Sequence, residues 1–211
     1  MKKIILTILI TLFAFSAAYA GDDDSFKSIS ILPGCFVPGD VNYNDVYGKE
    51  REFAFTLAFE KEISQTFAIG TSLMYFDDTG KGVSPSFLKS SVKTELTLLK
   101  GELSAIYKMK SHDDQIIVPQ VKAGLSVTYL NEHLKDHGRT EDAYFGYHAG
   151  FALLLLMDRL DPDNARNMRM SYGIEDTYFY VGMDYSDTDI IDANKLSLGG
   201  IEYNAGLMFR Y

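Results

Sequence analysis

Apolar and polar residues alternate along most of this chain with a period of two. Between positions 117 and 129 one parity reads Ile117, Pro119, Val121, Ala123, Leu125, Val127 and Tyr129. The other reads Gln120, Lys122, Gly124, Ser126 and Thr128. In an extended strand these two sets face opposite ways. The alternation recurs at 26–37, 53–60, 67–75, 102–109, 145–155, 168–183 and 201–211. The first of these is interrupted by Pro33 and Gly34. In 168–183, Met168, Met170 and Tyr172 oppose Arg169, Ser171 and Gly173, and the phase blurs from Ile174 onward. Eight such segments, an even number, predict an all-β fold: an eight-stranded antiparallel up-and-down barrel.

The chemistry of the two faces predicts which way the barrel is turned. The apolar faces carry bulky Phe, Tyr, Leu and Ile, with aromatics near the segment ends. The polar faces mix Gly, Ser and Ala with Glu, Lys, Arg and His, residues suited to a crowded, wet interior. That is the pattern of a transmembrane barrel, in which lipid lies outside. A soluble periplasmic calyx that binds an apolar ligand would reverse it, and stands as an alternative. The expected connections alternate in length. Residues 39–51, 77–91, 131–143 and 184–195 are long and polar, whereas 62–65, 110–115 and 158–167 are shorter. Long outer loops and short periplasmic turns are the habit of outer-membrane barrels.

The first twenty residues read as an export signal. Met1, Lys2 and Lys3 make a basic start, positions 4–15 an apolar run, and Ala18-Tyr19-Ala20 the cleavage site. The expected organisation is therefore a signal peptide at 1–20 and a barrel at 21–211, located in the outer membrane. The apolar run is short of the about 20 residues of a spanning helix, and a retained anchor is the alternative. Composition narrows the chemistry further. The chain has 211 residues, 20 Lys and Arg against 29 Asp and Glu, and a net charge of -9. That balance repels a phosphate backbone and argues against nucleic acid as a partner. A single cysteine, Cys35, excludes an intrachain disulfide framework and leaves a small apolar residue on a strand face.

Two stretches carry a resemblance. Gly34-Cys35-Phe36-Val37-Pro38, followed by Asp40 and Val46-Tyr47-Gly48, is similar to the first strand and loop of porin-family proteins. Gly199-Gly200-Ile201 through Phe209-Arg210-Tyr211 is similar to their closing strand. Over residues 26–211 the chain resembles the small eight-stranded outer-membrane β-barrels of Gram-negative bacteria, of the OmpA/OmpX/OmpW type. The resemblance implies contact with outer-membrane lipid and lipopolysaccharide. It also implies recognition by the barrel-assembly machinery through the last strand, where Tyr211 stands in place of the usual Phe or Trp. A monomer is expected.

Candidate chemistry is sparse. Glu52, Glu60, Glu102, Lys108, Lys122, His148, Arg169, Glu202 and Arg210 share the inward parity. Opposite charges across a narrow lumen should pair, because an unpaired buried charge is costly. The expected lumen is thus plugged by ion pairs. His133 and His137, among acidic residues, are candidate ligands for a transition metal. Asp184, Asp187, Asp189 and Asp192 form an oxygen-rich stretch of the kind that attracts calcium or magnesium, and a solvated loop is the simpler reading of both sets. A lipid-modifying enzyme of the lipid A deacylase type would need Ser, His and an acid near the outer rim. No serine flanks His148, and Ser111-His112 falls in a periplasmic turn. No catalytic residue, cofactor or enzyme activity is expected, and the role is structural or interactive, with minor transport of small solutes as an adjunct.

Overall fold

A computed structural model describes residues 27–39, 52–83, 89–112, 115–134, 138–188 and 199–211. Eight strands run in order: β1 (Lys27–Pro38), β2 (Glu52–Glu62), β3 (Phe67–Val83), β4 (Lys89–Lys108), β5 (Ile117–Leu134), β6 (Gly138–Leu156), β7 (Asp176–Asp187) and β8 (Gly200–Arg210). Each pairs antiparallel with the next, and β1 pairs with β8, so the sheet closes on itself. Closure satisfies the backbone without water, as a lipid environment demands. At the seam, the N–H of Tyr211 donates to the carbonyl of Lys27, and the N–H of Lys27 to that of Tyr211, at 2.7 and 3.1 Å.

The registers fix the tilt. A path of directly paired residues leads from Ser28 to Glu60, Gly70, Ser104, Gly124, His148, Ser186 and Gly200, and returns to β1 at Pro38. One circuit therefore climbs ten residues along β1, from Ser28 to Pro38. Such a stagger tilts the strands and leaves an interior just wide enough for side chains to fill. Paired residues share parity throughout, and wherever the strand side chains are described the even-numbered ones point inward.

On the strands, the large apolar side chains left exposed are odd-numbered, among them Leu125 at 65% and Phe53 at 62%. A continuous outward belt of this kind has no stable place in water. It is the lipid-facing surface. Near the short-turn end Phe67 packs against Tyr107, its partner across β3 and β4, with ring centroids 5.1 Å apart and the rings tilted by 53°.

Four expectations change. Residues 162–172 form a helix, α1 (Pro162–Tyr172), and β7 begins only at Asp176. Asp161 caps the helix, accepting the N–H of Asn164, and Pro162 stands at its first turn. Gly173 closes it at φ 69°, its N–H bonded to the carbonyl of Arg169. The alternation at Met168, Met170 and Tyr172 is therefore not a strand face. Second, the expected loops 77–91 and 131–143 are mostly strand, since β3 to β6 run on to Val83, Lys89, Leu134 and Gly138. Beyond the hydrocarbon both faces of a strand meet water, so the alternation stops before the pairing does. Third, Asp184 lies within β7, not in a loop. Pro33 and Gly34 do not interrupt β1. The pairing with β8 skips Leu32 and Pro33, and a side chain at Gly34 would meet the carbonyl of Tyr203 at 2.2 Å.

Arginine in place of Leu125 should lower stability by about 2–4 kcal/mol, the depth-dependent cost on a lipid face. Urea unfolding in lipid vesicles measures it. Ser126→Ala, one residue along and facing inward, should change stability much less.

Candidate functional site

The lumen is the only place where charged side chains converge deeply among the described residues. Its long-loop half holds an apolar cluster of Phe36, Met74, Phe76, Leu96, Leu98 and Leu130. Phe36 and Phe76 meet edge to face at 5.4 Å. Its short-turn half holds a second cluster, built on Leu32, Val118, Leu154, Tyr178, Tyr180 and Met208. The ionic groups sit between and beside these clusters.

The central network joins several strands. Lys100 Nζ lies 2.8 Å from Glu102 Oε1 and 3.5 Å from Glu202 Oε2. Lys122 Nζ lies 3.0 Å from Asp184 Oδ1 and 3.9 Å from Glu102 Oε2. Ser72 donates to Glu102 at 2.7 Å, Thr56 to Glu202 at 2.5 Å, and the Asn204 amide to Glu202 at 3.2 Å. Space is made by glycine. A Cβ on Gly150 would stand 1.9 Å from Asp184 Oδ1. A second network joins Lys108 to Glu60 and Glu62 at 2.9 and 3.0 Å, and Arg210 to Glu62 at 3.3 Å. Arg210 also holds Asp176, and the Gln120 amide donates to Glu60 at 3.1 Å.

Of the residues singled out by parity, Glu60, Glu102, Lys108, Lys122, His148, Glu202 and Arg210 lie in the lumen. Glu52 is half-buried at the long-loop end of β2 and belongs to neither network described above. Arg169 is outside the barrel: it projects from α1 and pairs with Glu175 at 2.9 Å. Its misplacement follows from reading 168–173 as strand. Lys100, Glu62 and Asp176 escape the sequence reading, and Asp184 enters it only as a loop residue, although all four carry the even parity.

The metal candidates do not converge. Asp184 is paired to Lys122 inside the barrel. Asp187 faces outward at the end of β7, accepting from Tyr147 and Tyr185 hydroxyls at 3.2 and 3.4 Å. His133 is exposed near the end of β5, opposite Glu95 and Arg139. His137 and Asp189 lie outside the described residues, as does Asp192. No group of three or more ligand-type side chains is arranged for a metal among the described residues.

One constellation is invisible in the sequence. Ser104 Oγ lies 3.2 Å from His148 Nε2, and Glu102 Oε2 lies 3.8 Å from His148 Nδ1. Nucleophile, base and acid are the parts of an acyl-transfer site. Here the acid is too far to orient the ring by a hydrogen bond, and it is already held by Lys100 and Ser72. All three side chains are buried between the two apolar clusters, where no lipid ester can reach the hydroxyl.

Comparison with known proteins agrees on the fold. No protein-family model and no curated protein matches the sequence. Among solved structures, OprG from Pseudomonas aeruginosa superposes with a TM-score of 0.65 at 11% identity, over 90% of this chain and 98% of that one. Ail of Yersinia pestis, solved with the heparin analogue sucrose octasulfate, gives 0.52 at 11% identity, over 90% and 100%. Neisserial surface protein A gives 0.52 at 12% identity, over 88% and 97%. The fold is that of the small eight-stranded outer-membrane barrels.

Two outcomes are expected. Glu102→Gln should cost about 3–5 kcal/mol, because it leaves buried ammonium groups undercompensated. Adding Lys100→Met should recover part of that loss in a double-mutant cycle read by urea unfolding. Outside the spanning strands, burial raises the Asp158 carboxyl above its ordinary 3.8, and the neighbouring Asp176 adds to this. A carboxyl that holds its proton more tightly when folded destabilises the fold above its folded pKa, and the cost fades as pH falls toward 3.8. Asp158→Asn keeps an acceptor for the Thr177 N–H, now 2.9 Å from Asp158 Oδ1. It should raise the unfolding midpoint at neutral pH and lose that advantage as pH falls toward 3.8.

Proposed function

We propose that this chain is an outer-membrane barrel whose role is structural and interactive, exported by a signal at residues 1–20 and working as a monomer. The observation that carries the reading is the filled lumen. Two apolar clusters and two ion-pair networks occupy it, while the outer face is apolar around the whole barrel. A plugged interior supports anchoring and display, not conduction. The outward belt supports contact with membrane lipid, and with lipopolysaccharide at the long-loop side. Strand β8, followed by Tyr211, is the segment the assembly machinery would read.

The experiment is single-channel recording of the folded protein in planar bilayers, with folding verified by gel mobility before and after boiling. The expected record is quiet. A steady, large conductance overturns the plugged lumen. The burial of Ser104, His148 and Glu102 in the lumen speaks against the enzymatic alternative, which has its own test. Lipid A masses from cells with and without the protein should be identical. An acyl-chain difference abolished by Ser104→Ala would establish the enzyme instead.

A further inference from the structure

Two acids face each other across the last pair of strands. Asp184 of β7 and Glu202 of β8 are directly opposite in register, and both are buried in the lumen. Side chains so placed have Cβ atoms about 4.5–5.5 Å apart, and like charges there repel. On its other flank Asp184 is opposite Gly150 of β6, which brings no side chain to compensate it.

The charges around this pair are unequal. Glu102, Asp184 and Glu202 supply three carboxylates, and Lys100 and Lys122 supply two ammonium groups. Among the described residues no other Lys or Arg lies within 4 Å of these carboxylates. Three against two leaves one negative charge, with an apolar cluster in each half of the lumen. A lone buried charge is costly, and a titratable group neutralises instead. The other titratable side chains facing this layer are His148 of β6 and Tyr180 of β7. Tyr180 is ordinarily neutral below about pH 10 and supplies no positive charge.

The contacts show where a proton would sit. A charged His148 would need an acceptor for each ring N–H. Its Nε2 has Ser104 Oγ at 3.2 Å, but Glu102 Oε2 is 3.8 Å from Nδ1, beyond hydrogen-bond reach. The three carboxylates differ in what they accept. Glu102 has Lys100 and the Ser72 hydroxyl, and Glu202 has Lys100, Thr56 and the Asn204 amide. Asp184 has Lys122 on Oδ1, and its Oδ2 has no partner. It is the carboxylate with the least to hold its charge, and it stands against a second acid.

We propose that the Asp184–Glu202 pair takes up one proton as the barrel closes and keeps it at neutral pH, with Asp184 as its seat. Two carboxylates then face two ammonium groups, and Lys122 stays on Oδ1 of the acid. Carboxyl pairs forced into one site share a proton for the same reason. The unfolded chain releases this proton above about pH 4, so the barrel closes more firmly in acid surroundings.

The protein is folded into phosphatidylcholine vesicles in heavy water, with gel mobility before and after boiling as the check on folding. Its infrared spectrum is recorded at neutral pH, where a protonated carboxyl shows a carbonyl stretch distinct from the carboxylate bands. The expected spectrum contains an acid band that moves when aspartate side chains carry carbon-13 and stays when glutamates do. That band should be missing from Asp184→Asn, which has the shape of the protonated acid and keeps an oxygen for Lys122. It should also be missing from Glu202→Gln, which restores two carboxylates against two ammonium groups without a proton. Urea unfolding gives a second readout. From neutral pH down to about pH 5, the folding constant of the wild type relative to Asp184→Asn should rise about tenfold per pH unit. A band that follows the glutamate label overturns Asp184 as the seat. A band that survives Glu202→Gln overturns the pairing of the two acids. If no aspartate band is sensitive to Asp184→Asn, or if the ratio stays flat or falls, the proposal fails, and the lumen holds a bare charge or a charged His148.

Discussion

A peptide group inside a bilayer has no water to bond, and this constraint shapes everything else in the molecule. An open sheet would leave two rows of N–H and C=O groups facing hydrocarbon, each costing several kcal/mol. Pairing β1 with β8 removes both rows at once. Once the sheet is closed, alternate residues along every strand are committed to lipid or to the lumen. The outward set can then be as apolar as Leu125, Phe53 and Phe67, and the inward set must fill a narrow tube.

That tube is filled in two ways. Where the inward residues are Phe36, Phe76, Met74 and Leu98, they pack as the core of a soluble protein would. Where they are Glu102, Lys100, Lys122, Asp184 and Glu202, they are tolerable only because each charge meets an opposite one within 4 Å. Buried pairs of this kind add little net stability over an apolar filling, yet removing one partner is severe. The ionic layers therefore depend on every carboxylate keeping the ammonium group that another strand supplies.

The strands and the sense of the barrel were legible because hydrophobic alternation has a period of two and hydrocarbon enforces it. The strand ends were not. Asp77, Thr79, Asn131 and His133 continue β3 and β5 past the hydrocarbon, where polarity no longer reports which face is which. The start of the seventh strand was misplaced because Met168, Met170 and Tyr172 mimic one face. Yet Asp161-Pro162 and Gly173, ordinary start and stop signals for a helix, were present in the same stretch. Parity pointed to the lumen residues, but the pairing of Lys122 with Asp184, or of Ser104 with His148, depends on the stagger between strands, which no local pattern encodes.

The bond from Thr56 to Glu202 spans 146 positions of chain, and Lys100 reaches the same carboxylate from the middle of the sequence. Neither contact can form until the last strand has docked against the first. Links made that late do little to hasten assembly, since loop closure must come before them. Their effect falls on the reverse journey. A completed barrel must break its deepest charge contacts before the seam can part, which makes it slow to come undone whatever its equilibrium stability.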